Sequence, residues 1–138
     1  MAKVGLIKQK REAEVKDMLC ICKDSNDPTS CFNNLQRLGI SLENESNLDE
    51  IERFTSAIAS KERLIIIKAL KDKDRCVCEL EVVLDKSQST ISHHLRKLVS
   101  AGLIEGYKKN KFTYYHLHKE ELKQNLEAFN LILSIIDD

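Results

Sequence analysis

Two apolar-striped segments joined by only three residues, and followed at once by two strand-like runs, constrain this chain more than any other feature. Residues 76 to 84 predict a short helix and residues 88 to 101 a longer one. Asp85-Lys86-Ser87 joins them, and Ile91, Leu95, Leu98 and Val99 form the apolar stripe of the second. After Gly102, Leu103 to Tyr107 and Phe112 to Leu117 read as strands around Lys108-Lys109-Asn110-Lys111, a turn that is almost wholly basic. That order of elements predicts a fold that is mainly α with a small β-hairpin, a helix-turn-helix followed by a wing.

The rest of the chain fits around this unit. Residues 1 to 19 carry Val4, Ile7, Val15, Met18 and Leu19 among polar residues and predict a short amphipathic helix. It must stop within residues 23 to 31, which hold the single proline among turn formers. Residues 32 to 47 are ambiguous in pattern and are expected to be loosely ordered. From Leu48 the spacing of Leu48, Ile51, Phe54 and Ile58 predicts a helix of roughly 11 to 13 residues, with Ser46 or Asn47 as its cap. Ser60 caps the next, with Leu64, Ile67, Ala69 and Leu70 expected inside and Lys61, Glu62 and Lys68 outside; Lys71 to Arg75 reads as a charged loop. At the end, Leu122, Leu126, Phe129, Leu133 and Ile136 share one face, yet Leu131, Ile132 and Ile135 are apolar too. A terminal helix apolar most of the way round predicts burial against a second subunit, so the fold is expected to dimerise through its terminal helices. The division expected is residues 1–47 as an N-terminal helix and cysteine-bearing extension, and residues 48–138 as the winged domain with its dimerisation helix.

With 138 residues there is room for one core of this kind. The apolar runs, such as Leu64-Ile65-Ile66-Ile67, are far too short to cross a membrane, and residues 1 to 19 lack the apolar stretch of a secretory signal, so a cytoplasmic chain is expected. Net charge is zero, but its distribution is uneven. Lys86, Arg96, Lys97, Lys108, Lys109 and Lys111 against Glu105 give residues 86 to 111 a net +5, whereas residues 41 to 58 carry five carboxylates against Arg53. A compact basic segment in a neutral chain is either a nucleic-acid face or a solvated helix surface. Within it, Ser87, Gln88, Ser89, Thr90, Ser92, His93 and Arg96 lie off the buried stripe and bear groups that hydrogen-bond base edges or phosphates. Lys108, Lys109 and Lys111 would add backbone or minor-groove contacts from the wing.

Cys20, Cys22, Cys31, Cys76 and Cys78 make an odd number without an export signal, which favours metal or redox chemistry over a disulfide framework; plain small apolar residues are the remaining reading. No set of Cys, His and carboxylate stands outside the DNA-reading segment, so an enzyme is not expected. His93-His94 are neighbours about 100° apart on a helix and do not face one ligand; one is expected on DNA and the other partly buried. His116 and His118 share a strand face but have no carboxylate or thiol at supporting sequence spacing, and are read as structural.

Ser60 to Leu70, Cys76-Val77-Cys78-Glu79-Leu80, Ser87 to Leu95, Ala101-Gly102-Leu103-Ile104 and Tyr114-Tyr115 occur in an order and spacing that resemble the ArsR/SmtB family of metal-responsive repressors, over about residues 48 to 138. The resemblance implies a homodimeric repressor on double-stranded operator DNA with an inverted repeat, released by an inducer. It maps the family's dithiol onto Cys76 and Cys78, with As(III), Sb(III), Cd(II), Pb(II) or Zn(II) as inducer. Residues i and i+2 on a helix point about 200° apart, so two helical cysteines would share an ion only if the first turn unwound. Soft ions take three or four sulfurs. The third cysteine of the arsenic-sensor pattern falls on Glu81, so further thiolates are expected from Cys20 and Cys22, with Cys31 as a further candidate. The family's terminal-helix zinc positions fall on Lys119, Glu121, Ile132 and Ile135, which cannot make that site. A thiol switch sensing oxidants or sulfur species, with Lys73 or Arg75 lowering a thiolate pKa, is the alternative on the same fold.

Overall fold

The computed structural model describes residues 9–22, 27–45 and 47–134. They fall into two compact units that part between Leu48 and Asp49. The first contains α1 (Gln9–Cys22) and α2 (Pro28–Glu43). The expectation of loose order from residue 32 is corrected: the stretch is helical to Glu43, capped and started by residues just ahead of it. Asp27 caps that helix, its Oδ1 accepting from Ser30 N at 3.1 Å, and Pro28 occupies the first turn, where no donor is lost. Phe32 is buried, with Lys16 Nζ 5.2 Å above its ring.

The second unit holds α3 (Leu48–Ile58) from its second residue on, α4 (Lys61–Asp72), β1 (Arg75–Cys76), α5 (Val77–Leu84), α6 (Gln88–Ser100), β2 (Ile104–Lys109), β3 (Phe112–Leu117) and α7 (Lys119–Ile132). Ser60 caps α4 through Arg63 N, and Ser87 caps α6 through Thr90 N, both at 3.3 Å. Ser46, the other expected cap, lies outside the described residues. Between α5 and α6, Asp85 takes a left-handed conformation that ends the first helix and turns the chain into the second. Phe54, Ile66, Leu70, Leu80, Ile91, Leu95, Leu98, Leu103, Ile104 and Leu117 form one core beneath the helix-turn-helix and the wing.

Two stripe residues depart from expectation. Leu64 is 46% exposed and Val99 43% exposed, while Arg63 is buried at 6%. The inward face of α4 runs Arg63, Ile66, Leu70, because the four apolar residues from Leu64 to Ile67 fix no phase and the tertiary partners of Arg63 decide it. The charged loop is shorter than expected, since α4 continues to Asp72 and Arg75–Cys76 forms an edge strand.

The sheet has the order β1-β3-β2 and is antiparallel throughout. Its hairpin closes on two residues, Asn110 and Lys111, both at positive φ, which suits the right-handed twist of the paired strands. Lys108 and Lys109 thus belong to β2 rather than to the turn. In α7 no residue is buried; Leu122 packs against the core, while Leu126, Leu131 and Leu133 are exposed. Ile135 and Ile136 lie outside the described residues.

Candidate functional site

Ile91, Leu95 and Leu98 bury one face of α6 and so turn Gln88, Ser89, His93 and Arg96 outward, with Ser92 half-buried. Ser87 Oγ lies 3.1 Å from Ser89 Oγ and 3.0 Å from Thr90 Oγ1, so the hydroxyls at the helix start brace one another as well as the cap. The adjacent histidines separate as their helical angle requires: His93 is exposed and His94 half-buried.

His94 rests on a residue that the sequence reading left unassigned. Arg63 donates from Nε to Ala57 O and from Nη2 to Ser56 O at 3.2 Å, closing the last turn of α3, and its Nη1 lies 3.1 Å from His94 Nδ1. Guanidinium only donates, so His94 Nδ1 accepts and its proton sits on Nε2. Burial, and then the Arg63 charge, lower the His94 pKa below its ordinary value. One buried arginine therefore joins α3, α4 and α6.

A second tie holds the wing. Asp74 Oδ2 accepts from Tyr107 Oη at 2.6 Å, and its Oδ1 lies 2.7 Å from His116 Nδ1. The Tyr107 hydrogen bond, followed by that of His116, holds the Asp74 carboxyl below the usual range and pushes the Tyr107 phenol up. His118 Nε2 stands 3.4 Å from Glu105 Oε2. Both histidines thus have carboxylate neighbours, which strand pairing across β2, β3 and the approach to β1 supplies where local sequence spacing does not.

Cys76 is the last residue of β1 and the N-cap of α5, with extended backbone at φ −81° and ψ 164°. Cys78 is in the first turn of that helix. The two sulfurs are joined in a disulfide, with Cα atoms 5.5 Å apart. The expectation that the first turn must unwind for these sulfurs to meet is corrected: Cys76 stands one residue before the helix, so the 200° separation does not apply. The Cys76 residue is buried and Cys78 exposed. Arg75, considered as a thiolate activator, is committed elsewhere, with Nε donating to Ala69 O at 2.6 Å and Nη1 to Glu79 Oε2 at 3.2 Å. Cys31 is a half-buried free thiol on α2. The side chains of Cys20 and Cys22 lie outside the described residues, their backbone ending α1. Among the described residues no group of three or more His, Cys, Asp or Glu is placed to hold a metal ion.

Two clefts relate these parts. One, of about 330 Å³, is lined by Cys76, Val77, Cys78 and Glu81 together with Gln88 of α6 and Lys111, Phe112 and Thr113 of the wing. The dithiol therefore faces both elements expected to touch DNA. The other, of about 320 Å³, brings Arg53, Ser56 and Ala57 of α3 against His93, Arg96, Lys97 and Ser100 of α6.

Residues 60–106 match the family described as "Bacterial regulatory protein, arsR family". The chain is similar to the cadmium resistance transcriptional regulatory protein CadC of Listeria innocua, at 31% identity over 83 residues, 59% of this chain and 65% of that protein's length. It thus spans somewhat less than two thirds of that relative. It is also similar to the arsenical resistance operon repressor of Bacillus subtilis, at 36% identity over 76 residues, 54% of this chain and 72% of that protein. Among solved structures, HlyU from Vibrio cholerae superposes with a TM-score of 0.54 at 31% identity, over 63% of this chain and 96% of that one.

Proposed function

The chain belongs to the arsR family of bacterial regulatory proteins, and from that premise we propose that it is a DNA-binding transcriptional repressor released from its operator by a soft metal or metalloid ion at Cys76 and Cys78. The repressor works in the cytoplasm as a homodimer on an inverted repeat, α7 supplying apolar surface for the second subunit. Gln88, Ser89, Ser92, His93 and Arg96 read the major groove, Ser87 and Thr90 hold the helix start against the backbone, and Lys108, Lys109 and Lys111 neutralise phosphates. The reading is of a regulator rather than an enzyme.

The observation that carries it is the cleft shared by Cys76, Cys78, Gln88 and Lys111. Whatever is held by the two sulfurs borders the first residue of the reading helix and the turn of the wing. The donor set fits a soft ion in kind: once reduced, two convergent thiolates supply the strong ligands that As(III), Sb(III), Cd(II), Pb(II) or Zn(II) takes. Two donors are too few, and Cys20 and Cys22, with Cys31 as a further candidate, complete the set. Tenfold weaker operator binding asks for only about 1.4 kcal/mol of coupling.

A gel shift on the chain's own promoter tests this. Cd(II), Pb(II) or As(III) is expected to release the reduced wild type but not Cys76→Ser or Cys78→Ser. Equal affinity for promoter and scrambled DNA, or undiminished release of the double variant, overturns the reading. The bonded state of Cys76 and Cys78 favours one alternative, a redox regulator in which the two thiols lose two protons and pass two electrons to an oxidant such as a peroxide. Release by oxidant with no response to metal selects it.

A further inference from the structure

The cleft between α3 and α6 contains three cations and no carboxylate. Arg53 enters from α3, and His93, Arg96 and Lys97 come from α6, with Ser56 and Ser100 completing the wall. Among the described residues none of Arg53, Arg96 and Lys97 forms an ion pair. Arg53 is the lone cation in residues 41 to 58, a segment with five carboxylates. Glu50 and Glu121 border its other side without pairing to it. The single basic residue of an acidic segment is thus the one set beside the cations of the reading helix, an arrangement that repels itself unless an anion enters. Guanidinium groups flanked by an ammonium and hydroxyls match the donors that take a phosphodiester.

We propose that this cleft is a DNA-backbone site, in which Arg53 binds a phosphodiester together with Arg96 and Lys97 while His93 beside it reaches the base edges. The inference rests on the DNA-binding reading above and extends the contact surface to α3, outside the helix-turn-helix and wing. A phosphate held there fixes the register of α6 in the groove and carries no sequence information of its own.

Operator and random-sequence duplex affinities of the full chain, measured across a salt series, test the assignment. Arg53→Ala is expected to weaken both duplexes by the same factor and to lower the slope of log affinity against log salt by about 0.9, the loss of one phosphate contact. Arg53→Lys is expected to retain most of that slope, and Ser56→Lys, which adds a cation to the same wall, to steepen it. Lys111→Ala on the wing serves as a parallel loss. Size-exclusion and melting profiles confirm that each variant stays folded. An unchanged slope in both Arg53→Ala and Ser56→Lys, beside a salt-dependent wild type, overturns the phosphate site alone. Lost sequence discrimination at constant slope overturns it in favour of a base contact. If the wild type binds neither duplex, the DNA-binding reading falls, and this inference falls with it.

Discussion

Tyr107 donates its hydroxyl proton to Asp74 at 2.6 Å across 33 residues of sequence, and Asp74 stands two residues ahead of Cys76. His116 on the neighbouring strand approaches the same carboxylate at 2.7 Å. The strand that ends in the dithiol is therefore fastened to both strands of the wing, through the carboxylate at its head and through its pairing with Tyr114 and Tyr115. These bonds and the strand pairing connect β1 to the wing, and a three-residue joint connects α5 to α6.

Loosening that fastening is expected to separate ion binding from DNA release. Tyr107→Phe and Asp74→Asn should each weaken operator binding several-fold and narrow the difference between ion-free and ion-bound affinity. Thiolate charge-transfer absorption should report ion binding at the wild-type level. Full wild-type release in both variants assigns the transmission to α5 alone.

Arg63 predicts a different outcome because it is buried. Replacing it by Met leaves Ser56 and Ala57 carbonyls and His94 Nδ1 without their donor. One buried and two partly buried acceptors left without their donor make this a destabilisation of roughly 1 to 3 kcal/mol, read from denaturant midpoints. Arg63→Lys, with one terminal donor group in place of a planar fork, should recover only part of it.

His94 gives the pH dependence its sign. Its pKa lies below 6.5 in the folded chain, so the unfolded chain takes up this proton first as pH falls. The stabilising contribution is complete above about 6.5 and is lost as pH drops from there through the lowered folded value. His94→Gln, whose amide oxygen can still accept from Arg63, is expected to flatten that part of the stability profile between pH 7 and 5. A parallel fall in wild type and variant would show that His94 is not its source.

Legibility in the sequence follows the range of the interactions. The pair α5 and α6 is readable because its apolar stripe, the Ser87 cap and the Asp85 turn are local. The hairpin is readable because alternation and a basic turn adjoin each other. α2 is less so: its start depends on Asp27 and Pro28, which read as loop formers, and its only buried residue is Phe32. β1 has two residues, and its existence depends on pairing with Tyr114 and Tyr115 about forty positions away. Other non-local contacts place Asp74 and Arg63, whose charges alone predict exposure. The dithiol is legible as a pair, but its geometry turns on one residue of helix boundary, the quantity local pattern fixes least well.

Glu81 offers the most direct test of the dithiol. It lines the same cleft as Cys76 and Cys78, three positions after the second cysteine, and it supplies a carboxylate where a soft trivalent ion takes a thiolate. Glu81→Cys brings a third sulfur to that cleft from the next turn of α5. The variant is expected to bind As(III) more tightly than wild type and to respond at lower concentration in the gel shift. Changing Cys20 and Cys22 together to Ser should weaken ion binding in the wild-type background, where the pair is short of ligands. The same change should cost little As(III) affinity in Glu81→Cys, where the three sulfurs sit on one segment. Cys31→Ser should have the smaller effect in either background. Ultraviolet thiolate bands titrated with As(III) measure each case. Equal dependence on Cys20 and Cys22 in the wild type and in Glu81→Cys would show that α5 does not bring the third sulfur to the ion, and would return the ligand set to the N-terminal cysteines.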